Sequence, residues 1–217
     1  MAANIIVSYD GTDNDRDALA LGKALAGGVN ALALAYVRHA DAERSHSKQD
    51  PQAMLDAAAA GLEGPVSTHV LQSGSTPEGL RELAVETGGD VVVFGPEYRT
   101  AVGHVNPQAS ARRLLDGGPV AIALAPAGYG RADNAIKLLA AIGEDGDPCV
   151  RETADRLAAR IGAAVADQAT SAVDLMVVGS KPGTVTGRVT ISAAADYLIE
   201  LAQCPVLVLP RGVVVEL

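Results

Sequence analysis

The sequence predicts an α/β fold, an open and mainly parallel β-sheet with helices on both faces, present twice and shortened in its second copy. Short apolar runs alternate with helical patterns along the 217 residues, which is typical of βαβ units. The pattern starts again after about residue 130, so the chain carries an internal duplication. Only five tyrosines and one phenylalanine are present, so alanine, valine and leucine must fill the core.

The first copy contains five strand patterns separated by four helical ones. The strand patterns lie at Asn4–Asp10, Ala31–Val37, Val66–Gln72, Asp90–Gly95 and Pro119–Pro126. The helical patterns are one capped by Thr12, one at about Ala53–Leu62, one reaching Thr87 and one near Ala109–Leu115. Ser75 and Glu78 are spaced as a capping box, with Pro77 in the first turn, so they mark the start of the third helix.

The second copy repeats these patterns in a shorter form. Asp145-Gly146 stands where Asp10-Gly11 stands, "DLMVVGSKPG" repeats "DVVVFGPEYR", and "CPVLVLPRG" repeats "GPVAIALAPAG". From Asp10 to Gly95 is 85 positions (95 − 10), but from Asp145 to Gly179 is only 34 (179 − 145). About fifty residues are therefore missing, roughly two βα units. The stretch from Ala163 to Asp167 is either a short strand or the tail of a helix.

The two copies define the predicted domains. Residues 1–130, the first repeat, form a complete domain, and residues 131–217, the second repeat, form a truncated one. The stretch Ala127–Asn134 has the composition of a linker between them.

Composition and charge exclude several classes of partner. The formal net charge is −9, without a run of lysines or arginines, so nucleic acid and anionic membrane surfaces are poor partners. The start, "MAANIIVSYDG", lacks the blocks of a signal peptide, and no apolar run has transmembrane length. We therefore expect a soluble cytoplasmic protein.

The duplicated patterns resemble the universal stress protein family over essentially the whole chain, in tandem form. The resemblance rests on the strand ending in Asp10-Gly11, the strand ending in Gly95 before a long loop, and the closing "CPVLVLPRG". It implies a five-stranded parallel sheet of order 3-2-1-4-5. In the family, two such domains pair with each other through strand 5. The missing material would then be strand 3 and, if the short stretch is not a strand, strand 2. The two repeats would form an intramolecular pseudo-dimer, with a further homodimer through strand-5 surfaces as an additional expectation.

The first strand-4 loop matches the family's nucleotide motif at one position only. Universal stress proteins that bind ATP carry G-x2-G-x9-G-[S/T] there, because glycine lets the backbone approach phosphate and the hydroxyl adds a donor. Gly95 fills the first position, but Tyr98, Gln108 and Ala109 fill the other three. Ser110 is one residue late and would compensate in part.

The second strand-4 loop departs from the motif in the same way. Gly179 is kept, Pro182 has no N–H to donate, and Ser192 and Ala193 replace the closing pair. Gly183 and Gly187 stand out of register with the motif and suggest a mobile loop. Charge-assisted hydrogen bonds contribute about 1.5–3 kcal/mol each, so losing two weakens binding about a hundredfold or more.

The rest of the nucleotide crevice is better kept in the first repeat. In open α/β sheets the crevice lies where the strand order reverses. The resemblance places Asp10 near the sugar and adenine and the backbone of Val37 at the adenine, with Gly95 and Gly179 at the phosphates. Apart from the resemblance, Asp10 is equally well explained as a turn former.

Three functions follow in order of preference. The first is a stress-response binding protein with degenerate nucleotide sites and no catalytic residues. The second is an ATP- or AMP-binding stress sensor that uses the first crevice, with ATP as the cofactor. The third is a weak nucleotide hydrolase, although no catalytic constellation supports it.

The remaining candidate side chains carry weaker predictions. Tyr98 either plugs the crevice or stacks on a planar ligand, and Cys149 is better explained as a spectator than as an activated thiolate. The four histidines have no zinc-site spacing, so no metal site is predicted.

Overall fold

Among the residues that the structure describes, nine strands form one sheet, in the order β3-β2-β1-β4-β5-β9-β8-β6-β7. The computed structural model describes residues 4–28, 31–39, 50–131, 135–166 and 172–217. His46, Asp167 and the end of the predicted linker lie outside these residues. The first five strands have the order 3-2-1-4-5 that the resemblance implies, and the α/β fold class is confirmed.

The strands and helices alternate as predicted, with small differences at their ends. The strands are β1 (Asn4–Ser8), β2 (Ala31–His39), β3 (Val66–Ser73), β4 (Gly89–Phe94), β5 (Ala121–Leu124), β6 (Leu138–Ile142), β7 (Ala164–Ala166), β8 (Leu175–Val178) and β9 (Val206–Val208). The helices are α1 (Asp15–Ala26), α2 (Pro51–Ala59), α3 (Thr76–Thr87), α4 (Ala109–Leu114), α5 (Pro148–Ile161) and α6 (Ala193–Leu201), with a 3-10 turn at Tyr129–Arg131. The predicted cap of α3 is confirmed, because the Ser75 side chain accepts from the Glu78 N–H.

The prediction that Thr12 caps the first helix is wrong. Helix α1 begins at Asp15, and its cap residue Asn14 makes no side-chain capping bond. Instead the buried Asp15 carboxylate accepts from the Thr12 N–H at 2.9 Å, so the acceptor lies in the helix and the donor in the turn.

Each face of the sheet has its own apolar layer. Helices α1, α2 and α5 cover one face and α3, α4 and α6 cover the other. The alternation of side chains along a strand separates the layers: Ile5 and Val7 face α1, while Ile6 between them faces α3. Leu, Val and Ala dominate both layers, as the composition predicts.

The second repeat keeps strand 2 in a shortened form. Strand β7 pairs in parallel with β6 over three residues, Leu138↔Ala164 to Ala140↔Ala166. The short stretch is therefore a strand and not a helix tail, and strand 2 is not part of the deletion. No strand lies beyond β7 among the described residues, so strand 3 is what the shorter repeat lacks there.

The two repeats meet in the middle of the sheet. Strands β5 and β9 pair antiparallel, while β4 and β8 hydrogen-bond to their other edges. The further homodimer expected through these strand-5 surfaces therefore finds no free strand edge on either of them. None of the described helices has the length and apolar character that crossing a membrane requires.

Candidate functional site

The strand registers show which residues of the repeats are equivalent. Phe94 pairs with Leu124 and Val178 pairs with Val208, which gives an offset of 84 residues (178 − 94 and 208 − 124) from strand 4 to strand 5. The same offset relates Gly95 to Gly179.

The equivalence corrects one sequence alignment. Val7 pairs with Val93, and Ala141 pairs with Val177, the equivalent of Val93, so Val7 is equivalent to Ala141. Asp10, three residues after Val7, is therefore equivalent to Glu144 and not to Asp145. Asp145 is instead equivalent to Gly11, and both residues have a left-handed φ, +51° at Asp145 and +84° at Gly11.

Asp10 lies at the rim of the first crevice and closes the turn into α1. Its Oδ1 accepts from the Thr12 N–H at 3.2 Å, and its own N–H donates to Asp15 Oδ2 at 2.8 Å. The Asp10 residue is exposed, whereas Asp15 is buried. Burial and the neighbouring Asp10 carboxyl raise the pKa of Asp15 to about 7.

The first turn of α1 lies directly over Gly95. A Cβ added to Gly95 would be 2.3 Å from the carbonyl oxygen of Asn14. The Asn14 side chain donates to the Pro96 carbonyl at 3.1 Å, and Gln108 donates to the same oxygen at 3.3 Å. Glycine is therefore required here for the approach of the protein's own helix.

The loop after β4 uses its backbone donors internally. Six N–H groups donate to acceptors of the protein, those of Glu97, Tyr98, Thr100, Gly103, His104 and Val105. The Glu97 N–H bonds the Asn106 carbonyl at 2.8 Å and the Gly103 N–H bonds the Ala127 carbonyl at 2.8 Å. These donors are the kind that a phosphate cradle needs.

Tyr98 does not plug the crevice. The residue is 72% exposed, and the Arg99 guanidinium lies 5.2 Å from the ring centroid, within cation–π range. Arg99 has a left-handed φ of +66°, and the equivalent residue of the second loop is Gly183, at +79°.

Val37 does not end its strand. Strand β2 continues to His39, because β3 pairs with it residue by residue as far as Ser73. The Val37 side chain packs against α3, where a Cβ on Gly79 would be 3.2 Å from both of its methyl carbons. Val37 therefore contributes to the apolar layer on the α3 side of the sheet.

Gly179 repeats the arrangement at Gly95 with a different neighbour. A Cβ added to Gly179 would be 2.7 Å from Val150 Cγ2, on the first turn of α5. The next residue, Ser180, is fully buried; its hydroxyl donates to the Leu209 carbonyl at 2.7 Å and accepts from the Thr190 N–H at 3.1 Å.

The second loop repeats the backbone hydrogen bonds of the first, except at Pro182, which has no N–H. The Lys181 N–H bonds the Thr190 carbonyl at 2.8 Å and the Gly187 N–H bonds the Arg211 carbonyl at 2.9 Å, as their equivalents do in the first repeat. Gly183 and Gly187 are thus in register with Arg99 and Gly103, and both take left-handed φ values in a bonded loop.

Charged side chains of the protein lie in the second crevice. The Arg211 Nη1 donates to the carbonyls of Glu144 at 3.3 Å and Ser180 at 3.4 Å, and Arg211 Nε lies 3.5 Å from Asp147 Oδ2. On the other side the Ser192 hydroxyl donates to the Glu144 carboxylate, while it accepts from the Ala195 N–H as the cap of α6.

Sequence reasoning missed Arg211, although one signal was available. Its equivalent in the first repeat is Ala127, so "LPRG" differs from "APAG" at one charged position.

Burial opposes ionisation of Asp147, but hydrogen bonds from the Gly212 and Cys149 N–H groups and the charge of Arg211 lower its pKa.

Asp17 is a second residue that the sequence did not single out. It is 6% exposed in the first turn of α1, and its carboxylate accepts from the N–H groups of Gly128 at 2.8 Å and Gly130 at 2.7 Å. These bonds fix the start of the predicted linker to α1.

Neither cysteine has the surroundings of a reactive thiolate. Burial and the Asp147 carboxylate raise the pKa of Cys149, and burial raises that of Cys204 to about 11. No cluster of three metal-binding side chains occurs in the described parts of the chain.

No family model matches the sequence, and no curated protein matches it. Solved structures match its fold. A functionally unknown protein from Pseudomonas aeruginosa PAO1 has a TM-score of 0.69 at 16% identity, over 97% of this chain and 93% of that one. A candidate universal stress protein from Pseudomonas aeruginosa UCBPP-PA14 has a TM-score of 0.65 at 15% identity, over 97% and 94%.

A universal stress protein from Archaeoglobus fulgidus DSM 4304 has a TM-score of 0.62 at 12% identity, over 96% of this chain and 98% of that one. These similarities cover both repeats and concern the fold. The chain therefore has the universal stress protein fold over nearly its whole length.

Proposed function

We propose that this protein is a cytoplasmic stress-response binding protein of the universal stress protein type, whose nucleotide sites are degenerate. It acts through its surfaces as an intramolecular pseudo-dimer and has no catalytic activity of its own. The observation that carries the proposal is the position of the helix starts: the first turns of α1 and α5 lie against the two glycines that would otherwise receive phosphate.

Three kinds of contact support the loss of nucleotide binding. The space over Gly95 is taken by the Asn14 carbonyl, and that over Gly179 by Val150. Six N–H groups of the first loop bond within the protein. In the second crevice Arg211 reaches the strand ends, where a ligand would have to displace it. A triphosphate would have to break these contacts before gaining its own, so we expect no binding at micromolar concentration.

Reciprocal contacts between the repeats support the pseudo-dimer. Val105 and Val189 are equivalent residues, and so are Gly118 and Ala202. The Val105 N–H donates to the Ala202 carbonyl at 3.2 Å, and the Val189 N–H donates to the Gly118 carbonyl at 2.8 Å. Such reciprocity is the mark of a two-fold relation.

Nucleotide content and titration test the proposal. The purified protein is denatured and examined for released nucleotide, and ATP with Mg²⁺ and then AMP are titrated into it by calorimetry. We expect neither a released nucleotide nor a saturable heat at micromolar ligand. The variant Asp10→Ala and its control Asp13→Ala, whose side chain is 81% exposed, are titrated in parallel.

One observation favours the sensor function as the second candidate. In the first crevice Asp10 is exposed, and the equivalent of Arg211 is the small residue Ala127. Saturable ATP or AMP binding that Asp10→Ala abolishes and Asp13→Ala keeps would contradict the proposal and establish this sensor. ATP turnover with the same dependence would establish the weak hydrolase.

A further inference from the structure

Two pairs of residues lie on the pseudo-two-fold relation between the repeats. The offset of 84 makes Ala123 equivalent to Leu207 (207 − 123) and Arg112 equivalent to Asp196 (196 − 112). Ala123 and Leu207 pair with each other in the β5–β9 ladder. The guanidinium of Arg112 lies 3.5 Å from the carboxylate of Asp196. A residue meets its own equivalent only at the two-fold axis, so both pairs lie there.

Each pair is complementary, although a symmetric dimer would place identical residues opposite each other. Two first repeats would bring Arg112 against a second arginine, and two second repeats would bring Asp196 against a second aspartate. In the ladder, Ala123 and Leu207 are both fully buried. Two alanines would leave a void there and two leucines would crowd the layer.

The contact between the repeats, here called the seam, consists of the β5–β9 ladder and the α4–α6 contact beside it. We infer that the seam is selective: Arg112–Asp196 and Ala123–Leu207 make the strand-5 surface of each repeat fit the other repeat and not a second copy of itself. The partner of each surface is therefore the opposite repeat. The inference rests on the proposed pseudo-dimer and adds the residues that specify it. Opposite charges at one pair and small-with-large packing at the other are the usual means of such discrimination.

A charge-reversal cycle in the full-length chain tests the inference. Arg112→Asp and Asp196→Arg each place like charges on the axis, and the double variant restores opposite charges in exchanged positions. The two side chains are 44% and 41% exposed, so both single variants can fold. We expect each single variant to raise the unfolding equilibrium constant about two- to fivefold and the double variant to return it to about the wild-type value.

The matched control is a charge-reversal cycle at Arg151 and Asp155. This pair lies within α5, with side chains 50% and 52% exposed. Because it does not join the repeats, reversing it should leave the oligomeric state unchanged. The single variants at the axis should instead yield some domain-swapped dimers when Arg112→Asp and Asp196→Arg chains are refolded together, since exchange restores opposite charges in both seams.

A second cycle uses the buried pair. Ala123→Leu alone and Leu207→Ala alone should each destabilise the protein tenfold or more, and the exchanged double variant should recover part of the loss, on the order of threefold or more. Should these variants fail to fold, the charge cycle still decides. Losses that simply add in the charge cycle would overturn the inference.

Amide hydrogen exchange separates this failure from that of the proposed function. The N–H groups of Val105 and Val189 donate across the seam. If they are protected while the charge cycle is additive, the pseudo-dimer stands and the selectivity fails. If they exchange freely, the pseudo-dimer itself fails and the inference fails with it.

Discussion

Replacing Gly179 by alanine tests whether the second crevice glycine serves the protein's own helix. The added methyl would lie 2.7 Å from Val150 Cγ2, which is closer than carbon atoms approach in a packed core. Crowding of this kind costs about 1–3 kcal/mol. Val150 is 2% exposed, and Val150→Ala removes two buried methyl groups at a cost of about 2 kcal/mol.

The double variant Gly179→Ala/Val150→Ala distinguishes the two explanations of the glycine. If the contact is real, the alanine methyl fills part of the space that Val150 leaves, and the double variant loses about 2 kcal/mol or less. If the two sites are independent, the losses add to about 4 kcal/mol. A glycine kept for phosphate would point its added methyl into an open crevice, so Gly179→Ala would be nearly silent in stability.

Urea unfolding measures both losses, and an unchanged m-value assures that the same transition is compared. Gly61→Ala is the matched control, because its added methyl would meet the Ala58 carbonyl at an ordinary 3.7 Å. That change should stay within about 0.5 kcal/mol. Additivity of Gly179→Ala and Val150→Ala within about 0.5 kcal/mol would refute the reasoning.

Three further predictions concern buried polar contacts. Ser180→Ala should lower the free energy of unfolding by about 2–3 kcal/mol in urea, because the buried Leu209 carbonyl and the partly buried Thr190 N–H lose their partner; a loss under about 0.5 kcal/mol would contradict this. The raised pKa of Asp15 means that its stabilising contribution is complete at acid pH and is lost as the pH rises through about 7. Asp15→Asn should flatten that decline in urea unfolding between about pH 4 and 8, and an unchanged slope would count against it. Asp17→Ala should speed proteolytic cleavage of the linker, since Gly128 and Gly130 lose their acceptor; equal cleavage rates would show that the acceptor does not hold the linker.

Features that depend on neighbouring residues could be predicted from the sequence. The cap of α3 needs only Ser75 and Glu78, three residues apart, so the boundary of that helix follows from local chemistry. The duplication is visible because both repeats keep similar apolar runs. By contrast, β2 extends to His39 because β3 supplies partners that far, and β7 forms with three residues because β6 pairs with them. Strand ends of this kind are set by the partner strand.

The contacts that fill the crevices could not be predicted, because they join residues far apart in the chain. Asn14 reaches Pro96 across 82 positions, and Ser192 reaches Glu144 across 48. Asn14 belongs to no recognisable motif, and Ser192 lies at a position of the nucleotide motif that the family fills with glycine. The loop comparison with the nucleotide motif indicates only which donors are missing, and the residues that occupy the space come from other elements.

The loops whose N–H groups bond within the protein also join the two repeats. The loop after β4 contains Val105, whose N–H bonds the second repeat, and the loop after β8 contains Val189, whose N–H bonds the first. A loop that rearranged around phosphate would pull on these bonds, each contributing about 1 kcal/mol. Under the proposed function, we therefore expect nucleotide binding in either repeat to weaken the hydrogen bonds that join the repeats. Arg211 also links the second loop to this region. Its N–H and carbonyl bond the second loop, and its side chain lies at the ends of β6 and β8. Arg211 follows β9, the strand that pairs with β5 of the first repeat. A ligand that displaced the Arg211 side chain would therefore disturb the chain directly after the strand that joins the two repeats.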